Sequence, residues 1–155
     1  MYTTRCDHGK SWDGTTCIGA ATTTSFNNGS TNYTESTPSA MEPGVSGSNG
    51  VSNTTDMINA TSHLAYPYQA AETCNNLTIH GHSDWYLPAQ SELRSVFSDS
   101  SNLSGTPSGR YWSSSNYLFS SGAYDERAYF VDAGTNELGY QAENLTYKIR
   151  CVRHD

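Results

Sequence analysis

With 155 residues, 35% hydrophobic, 15% charged and a mean hydropathy of -0.63, the chain can build one ordinary domain with a modest core under a thick polar coat. A formal charge of -7, from 8 Lys and Arg against 15 Asp and Glu, supplies no basic face for nucleic acid, heparin-like chains or an anionic membrane. It contains no apolar run of about twenty residues and no signal-type leader, so as it stands it neither inserts in a membrane nor directs its own export.

Four cysteines, Cys6, Cys17, Cys74 and Cys151, show no C-x-x-C spacing, and an even count in a polar chain favours disulfides formed in an oxidising compartment. The expectation is therefore an extracellular or cell-surface location, reached as part of a longer precursor. Three pairings are open. The one adopted joins Cys6 to Cys17, stapling a turn on Trp12-Asp13-Gly14, and Cys74 to Cys151, tying a helix to the last strand. Loop entropy assigns about 2.5 to 3 kcal/mol to the short closure and about 4.5 kcal/mol to the long one.

From Tyr2 to Ala21 the chain reads as a hairpin with Asp13-Gly14 as a type I′ turn, and Asp7 and His8 as surface turn residues. Residues 22–63 are rich in Ser, Thr, Asn and Gly, with Pro38 and Pro43 interrupting, and read as a long loop insertion. After Pro67 a first helix is expected up to Leu77, with Ala70, Cys74 and Leu77 on one stripe. His80-x-His82-x-Asp84 is the best metal pattern, because alternate residues of an extended segment can share a side. It has no matching Cys or His pair elsewhere, so no metal is assigned.

Trp85 and Leu87 alternate like a short buried extended segment, Pro88 bars helix before it, and Glu92, Leu93, Val96 and Phe97 then follow helical spacing. Trp112 is expected to pack on Trp85 and Leu87, so that Trp85, Leu87, Leu93 and Trp112 mark the core, while Ser113 to Ser115 turn the chain. A Tyr- and Ser-rich loop over Asn116 to Tyr124 leads to a strand at Arg127 to Asp132, a turn, a return strand at Leu138 to Ala142, and a last strand from Lys148 to Arg153. In that last strand Ile149, Cys151 and Arg153 share one side and Arg150 and Val152 the other.

The series Asp84-Trp85-x-Leu87-Pro88-x-x-x-Glu92-Leu93, then Tyr111-Trp112-Ser113-Ser114, then Arg150-Cys151-Val152-Arg153, resembles the Lcl C-terminal domain family, found in bacterial collagen-like adhesins and related surface proteins. The resemblance covers roughly 2–21 and 66–153. It departs at the 22–63 insertion and at Ala89, where a Ser or Thr helix cap is expected. It implies an α+β, C-type-lectin-like fold with two helices, short antiparallel strands and long loops, as one domain over 1–155. Two helices followed by short strands, the last tied back by a disulfide, give the same layout. The resemblance also implies that Asp84 is structural, bonding turn amides. The Ser, Tyr and Asn tail is also compatible with the variable proteins of diversity-generating retroelements.

The functional expectation is a non-enzymatic ligand-binding or adhesin domain that presents Tyr117, Leu118, Phe119, Tyr124, Asp125, Glu126 and Arg127 on its C-terminal loops. Tyr offers large contact area at low entropic cost, and Ser and Asn offer adaptable hydrogen bonds. The partner expected is a glycan or a host or bacterial surface protein, with no nucleic acid; the resemblance to collagen-like adhesins implies homo-oligomers. Two alternatives keep the fold: a structural subunit of a pilus or surface assembly, and an enzyme of the formylglycine-generating type. The latter needs two reactive C-terminal cysteines, and only Cys151 lies there. No cofactor is expected. The sugar-binding motifs of calcium-dependent lectins are missing, and Glu42-Pro43-Gly44 lacks the amide ligand. Asp125, Glu126, Asp132, Asn136 and Glu137 offer oxygen atoms to a hard cation such as calcium, although acids in turns are ordinarily solvated.

Overall fold

Alternation along two central strands decides the layering. A computed structural model describes residues 1–27, 44–60, 67–99, 103–104, 106–118 and 124–154. Strands β5 (Arg110–Leu118) and β6 (Tyr124–Asp132) pair antiparallel with Tyr111 opposite Val131 and Trp112 opposite Phe130. Successive side chains point to opposite faces, so Trp112 and Phe130 enter one apolar cluster and Tyr111 and Val131 another. Strand β7 (Glu137–Ala142) pairs with β6 on one side; β8 (Thr146–Lys148) runs parallel to β5 on the other, with β4 (Thr23–Ser25) beyond it. The sheet order is β4-β8-β5-β6-β7.

Helices α1 (Gly50–Asn59) and α2 (Gln69–Asn75) bring Met57, Ala70, Ala71 and Cys74 to the Trp112 face, where Phe26 and Tyr68 fill the remaining space. Helix α3 (Gln90–Ser98) brings Leu93, Val96 and Phe97 to the Tyr111 face. The segment Trp85 to Leu87 runs between the two clusters. Trp85 and Leu87 enter the first and Tyr86 the second, while Tyr86 exchanges two backbone hydrogen bonds with Val152, at 2.9 and 3.1 Å. The expected core residues Trp85, Leu87, Leu93 and Trp112 are all buried. Trp112 shares its cluster with Trp85 and Leu87, and its ring neighbours are Phe26 at 5.7 Å and Tyr147 at 4.5 Å.

Three helices form among the described residues, not two, and the additional one, α1, lies inside the stretch read as loop. Its Ser, Asn and Thr content gives weak intrinsic helix preference, so tertiary partners hold it. The Asn49 side chain accepts from Ser52 N at 3.0 Å as a cap. The hydroxyl of Thr54 accepts from Leu87 N at 3.0 Å and donates to Leu87 O at 3.3 Å, and Asn53 Nδ2 donates to Ser46 O at 2.7 Å and to Ser114 Oγ at 3.2 Å. Gly50 is needed here, since a Cβ would lie 2.7 Å from Ala89 N and from Leu87 O. The missing Ser or Thr cap of α3 is offset by the same junction: Glu92 Oε2 accepts from Ala89 N at 2.8 Å and from Gly50 N at 3.0 Å.

Both disulfides take the adopted pairing, Cys6–Cys17 and Cys74–Cys151. Strand β2 (Ser11–Trp12) pairs with β3 (Cys17–Ile18) as expected, but through a four-residue turn, not a type I′ pair. Asp13 Oδ1 accepts from Thr15 N and Thr16 N, both at 2.7 Å, and these donors, Thr16 first, hold its carboxyl below the usual carboxylate range. The left-handed pair sits instead at His80 (φ 52°) and Gly81 (φ 79°), closed by Ile79 and His82 through two 3.0 Å backbone bonds.

The last strand expected from Lys148 to Arg153 is broken: β8 ends at Lys148, and only β9 (Val152–Arg153) pairs, with β1 (Tyr2–Thr3). Ile149, Arg150, Cys151 and Val152 are all buried. Arg150 there meets Asp7, which is 5% exposed and not a surface turn residue. Its carboxylate pairs with Arg150 Nη2 and accepts from Tyr111 Oη at 2.9 Å, while Arg150 Nη1 donates to Thr4 O at 2.8 Å. The buried guanidinium thus has its charge paired and a carbonyl acceptor within the segment between β8 and β9.

Candidate functional site

Strand pairing places a tyrosine cluster across β5, β6 and β7. Tyr129 lies directly opposite Tyr140 in the β6–β7 register. The Tyr117 ring stacks on Tyr140 at 4.0 Å and 20°, and meets Tyr129 edge-on at 5.4 Å. Tyr129 and Tyr140 are T-shaped at 6.2 Å, and the Arg127 guanidinium lies 5.6 Å from the Tyr140 ring. Cross-strand aromatic pairs of this kind hold one another in place and leave edges and hydroxyls for a ligand. Tyr140 is 42% exposed and Leu138, on the same face two residues before it, is 39% exposed.

The serine run beneath is strand, not turn. Register shifts occur between Trp112 and Asn116 and between Asn116 and Leu118, and the buried hydroxyls and amides satisfy the backbone there. Ser113 Oγ donates to Tyr129 O at 2.9 Å, Ser115 Oγ donates to Ser46 O at 2.8 Å and accepts from Gln90 N at 3.1 Å, and Ser114 N donates to Pro88 O at 2.8 Å. Asn116 N donates to Gly44 O at 2.7 Å. Strand β5 is thus stitched to residues 44–46 and to the start of α3, a rigid base for Tyr117. On the opposite face Gly139 lets the Phe130 ring lie flat, because a Cβ there would come within 2.4 Å of it.

Of the residues expected to form the site, the structure brings Tyr117 and Arg127 together around Tyr140. Leu118 ends β5 and Tyr124, Asp125 and Glu126 begin β6. Phe119 and the side chains of Leu118, Tyr124, Asp125 and Glu126 lie outside the described residues. Sequence reasoning missed Tyr129 and Tyr140, having assigned both to plain strands. The signal was present: pairing the strands across the 133–136 turn sets 129 opposite 140 and puts both on the face of Arg127.

Of the residues considered for calcium, Asp125 and Glu126 have side chains outside the described residues, and the other three bond to neighbours. Asp132 Oδ1 accepts from Gly134 N at 3.0 Å, Glu137 Oε2 accepts from Thr135 Oγ1 at 3.2 Å, and Asn136 Nδ2 donates to Ser98 Oγ at 2.7 Å. His80 and His82 do not share a strand face, because His80 occupies the turn. Asp84 bonds a side chain, Arg153 Nη1 at 3.3 Å, and not the turn amides expected for it. No group of three His, Cys, Asp or Glu side chains is arranged to hold a metal among the described residues. No helix is long and apolar enough to cross a membrane among them.

Two buried tyrosines have raised pKa values. Burial first, and then the negative charge of Asp7, pushes Tyr111 up, and burial followed by Glu92 does the same for Tyr86. Both act as hydrogen-bond donors to carboxylates, at 2.9 Å and 3.3 Å, and neither belongs to the tyrosine cluster.

No curated protein matches the chain. The model of the Lcl C-terminal domain matches residues 48–153, from just before α1 to β9. The match takes in α1, which the sequence resemblance left in the insertion, and does not extend over the N-terminal hairpin. On that match, the chain belongs to the Lcl C-terminal domain family.

Proposed function

We propose that this chain is a non-enzymatic binding domain with a C-type-lectin-like fold, a single unit over 1–155, that takes a glycan or a surface protein on the Tyr117–Tyr129–Tyr140 face beside Arg127. The observation that carries the reading is the mutual packing of these three rings on a serine-stitched strand. Preorganised tyrosines bind with little further loss of side-chain entropy, and their rings and hydroxyls suit both sugar faces and protein backbones. Arg127 adds a directed donor and a cation at the edge. The two disulfides support export to an oxidising compartment, extracellular or at the cell surface. A binding role agrees with the cysteine usage, since all four sulfurs are paired and none is left for formylglycine-type chemistry. The structural-subunit reading draws on one feature, the exposed Leu138 and Tyr140 side chains of β7, which self-association would cover.

The test is a glycan and surface-protein array probed with the parent domain and with Tyr117→Ser/Tyr140→Ser. The binding reading expects a defined hit that the variant loses while its melting temperature stays within a few degrees of the parent. A hit retained by the variant moves the site elsewhere. Sizing of the parent by mass photometry separates the structural reading, which expects a concentration-dependent oligomer that the variant dissolves.

A further inference from the structure

A concavity of about 700 Å³ opens away from the tyrosine face, between the N-terminal segment and the turn after α2. None of the tyrosine-cluster residues lines it. Its apolar surface comes from Trp12, Leu77, Ile79 and Trp85, with Trp12 37% exposed and Trp85 against the main cluster. Its charge comes from Arg5 and Lys10. The guanidinium of Arg5 lies 4.5 Å from the Trp12 ring, and the Cys6–Cys17 disulfide and the β2–β3 hairpin hold that pair in position.

The electrostatics of this groove run against those of the chain. A protein of net charge -7 with 8 Lys and Arg places two of them here. The one acid in the lining, Asp7, is buried and committed to Arg150 and to the Tyr111 hydroxyl, with Lys10 Nζ 3.9 Å from it. Arg5 and Lys10 thus face the groove with no uncommitted carboxylate in its wall. The volume falls within the range of small-molecule sites, and the mixture of apolar walls with a few cations selects by both shape and charge.

We propose that the groove binds a small amphiphilic organic anion, an aryl or alkyl carboxylate. Its apolar body lies against Trp12, Trp85, Leu77 and Ile79, and its carboxylate lies at Arg5 and Lys10. Arg pairs with carboxylates through two parallel donors, and the ring beneath it limits its conformations. This site is independent of the tyrosine face and stands whether or not that face binds a ligand.

Phenylbutyrate is the probe, with phenylbutyramide as its uncharged counterpart, titrated into the intact domain by calorimetry. Tryptophan fluorescence provides a second readout, because two of the chain's three Trp line the groove. The expected result is saturable one-site binding of phenylbutyrate, with the amide about tenfold weaker, and a loss of about tenfold for the acid in Arg5→Gln/Lys10→Gln, whose affinity for the amide is unchanged. Tyr117→Ser/Tyr140→Ser retains phenylbutyrate binding. Absence of saturable binding at millimolar phenylbutyrate, equal affinity for acid and amide, or undiminished binding by the double variant overturns the proposal. Should the double variant melt below the parent, Arg5→Gln alone decides the question by the same comparison, since Arg5 is exposed.

Discussion

Asp7 shows how much one side chain can decide. Within Cys6-Asp7-His8-Gly9 it has every mark of a surface turn residue, and its partner Arg150 lies 143 positions away, so nothing local reveals the pair. The pairing joins the first residues of the chain to the last, with Tyr111 of the central strand donating to the same carboxylate. Asp7→Ala leaves a guanidinium buried without its counter-ion and is expected to lower stability by about 3 to 5 kcal/mol. Chemical denaturation of Asp7→Ala, Arg150→Met and the double variant checks this, with the double variant expected to lose less than the sum of the singles. Tyr111 adds a pH signature. Its folded pKa is raised above the ordinary value near 10, so its contribution is complete below that value and is lost as pH rises through it toward the folded pKa. Stability should therefore fall in the alkaline range, and Tyr111→Phe should flatten that fall while costing about 1 to 2 kcal/mol at neutral pH through the lost hydrogen bond. An unchanged alkaline slope in the variant would assign the fall to other groups.

Among the elements, those with an apolar stripe were readable and those held by polar side chains were not. Leu93, Val96 and Phe97 announce α3, and Ala70 and Cys74 announce α2. Helix α1 presents Gly50, Asn53, Thr54 and Met57 inward, a stripe with one large apolar residue, so no period is visible. Ser113 to Ser115 were misread for the same reason: their hydroxyls are buried in a strand, where composition suggests a turn. The site was half readable in the same sense. Tyr117 and Arg127 stood out in a polar stretch, whereas Tyr129 and Tyr140 acquire meaning only when β6 and β7 are paired. The α1–α3 junction tests whether polar stitching holds these elements. Removing the acceptor in Glu92→Ala orphans Ala89 N and Gly50 N and is expected to cost about 1 to 3 kcal/mol, with Glu92→Gln costing less because an acceptor remains. Equal midpoints for parent and Glu92→Ala in urea unfolding would show that the junction contributes nothing.

At the scale of the molecule, one of the two disulfides ties a helix layer to the chain end and the other closes a local hairpin. Cys74–Cys151 spans 77 residues and fixes α2 to the segment entering β9, while Cys6–Cys17 spans 11 and fixes only the N-terminal hairpin. Loop closure makes the long bridge worth about 4.5 kcal/mol and the short one about 2.5 to 3 kcal/mol. Paired Cys→Ala variants, followed by thermal unfolding, should rank in that order. The short bridge carries a second readout, because its loss should free Trp12 and weaken phenylbutyrate binding with the core intact. The α+β character was readable because the helix-spaced residues of α2 and α3 and the alternating strands β6 and β7 each show their own period.

If the preorganised tyrosine face binds the ligand, as proposed, replacing Tyr117 and Tyr140 together by Ser removes the stacked pair at its centre. Array binding and melting temperature are measured on the same preparation. Binding is expected to be lost while the melting temperature moves by no more than a few degrees, since Tyr140 is 42% exposed and neither ring belongs to the two apolar clusters of the core. Binding retained by the Ser variant, or lost only because the domain no longer folds, contradicts the proposal.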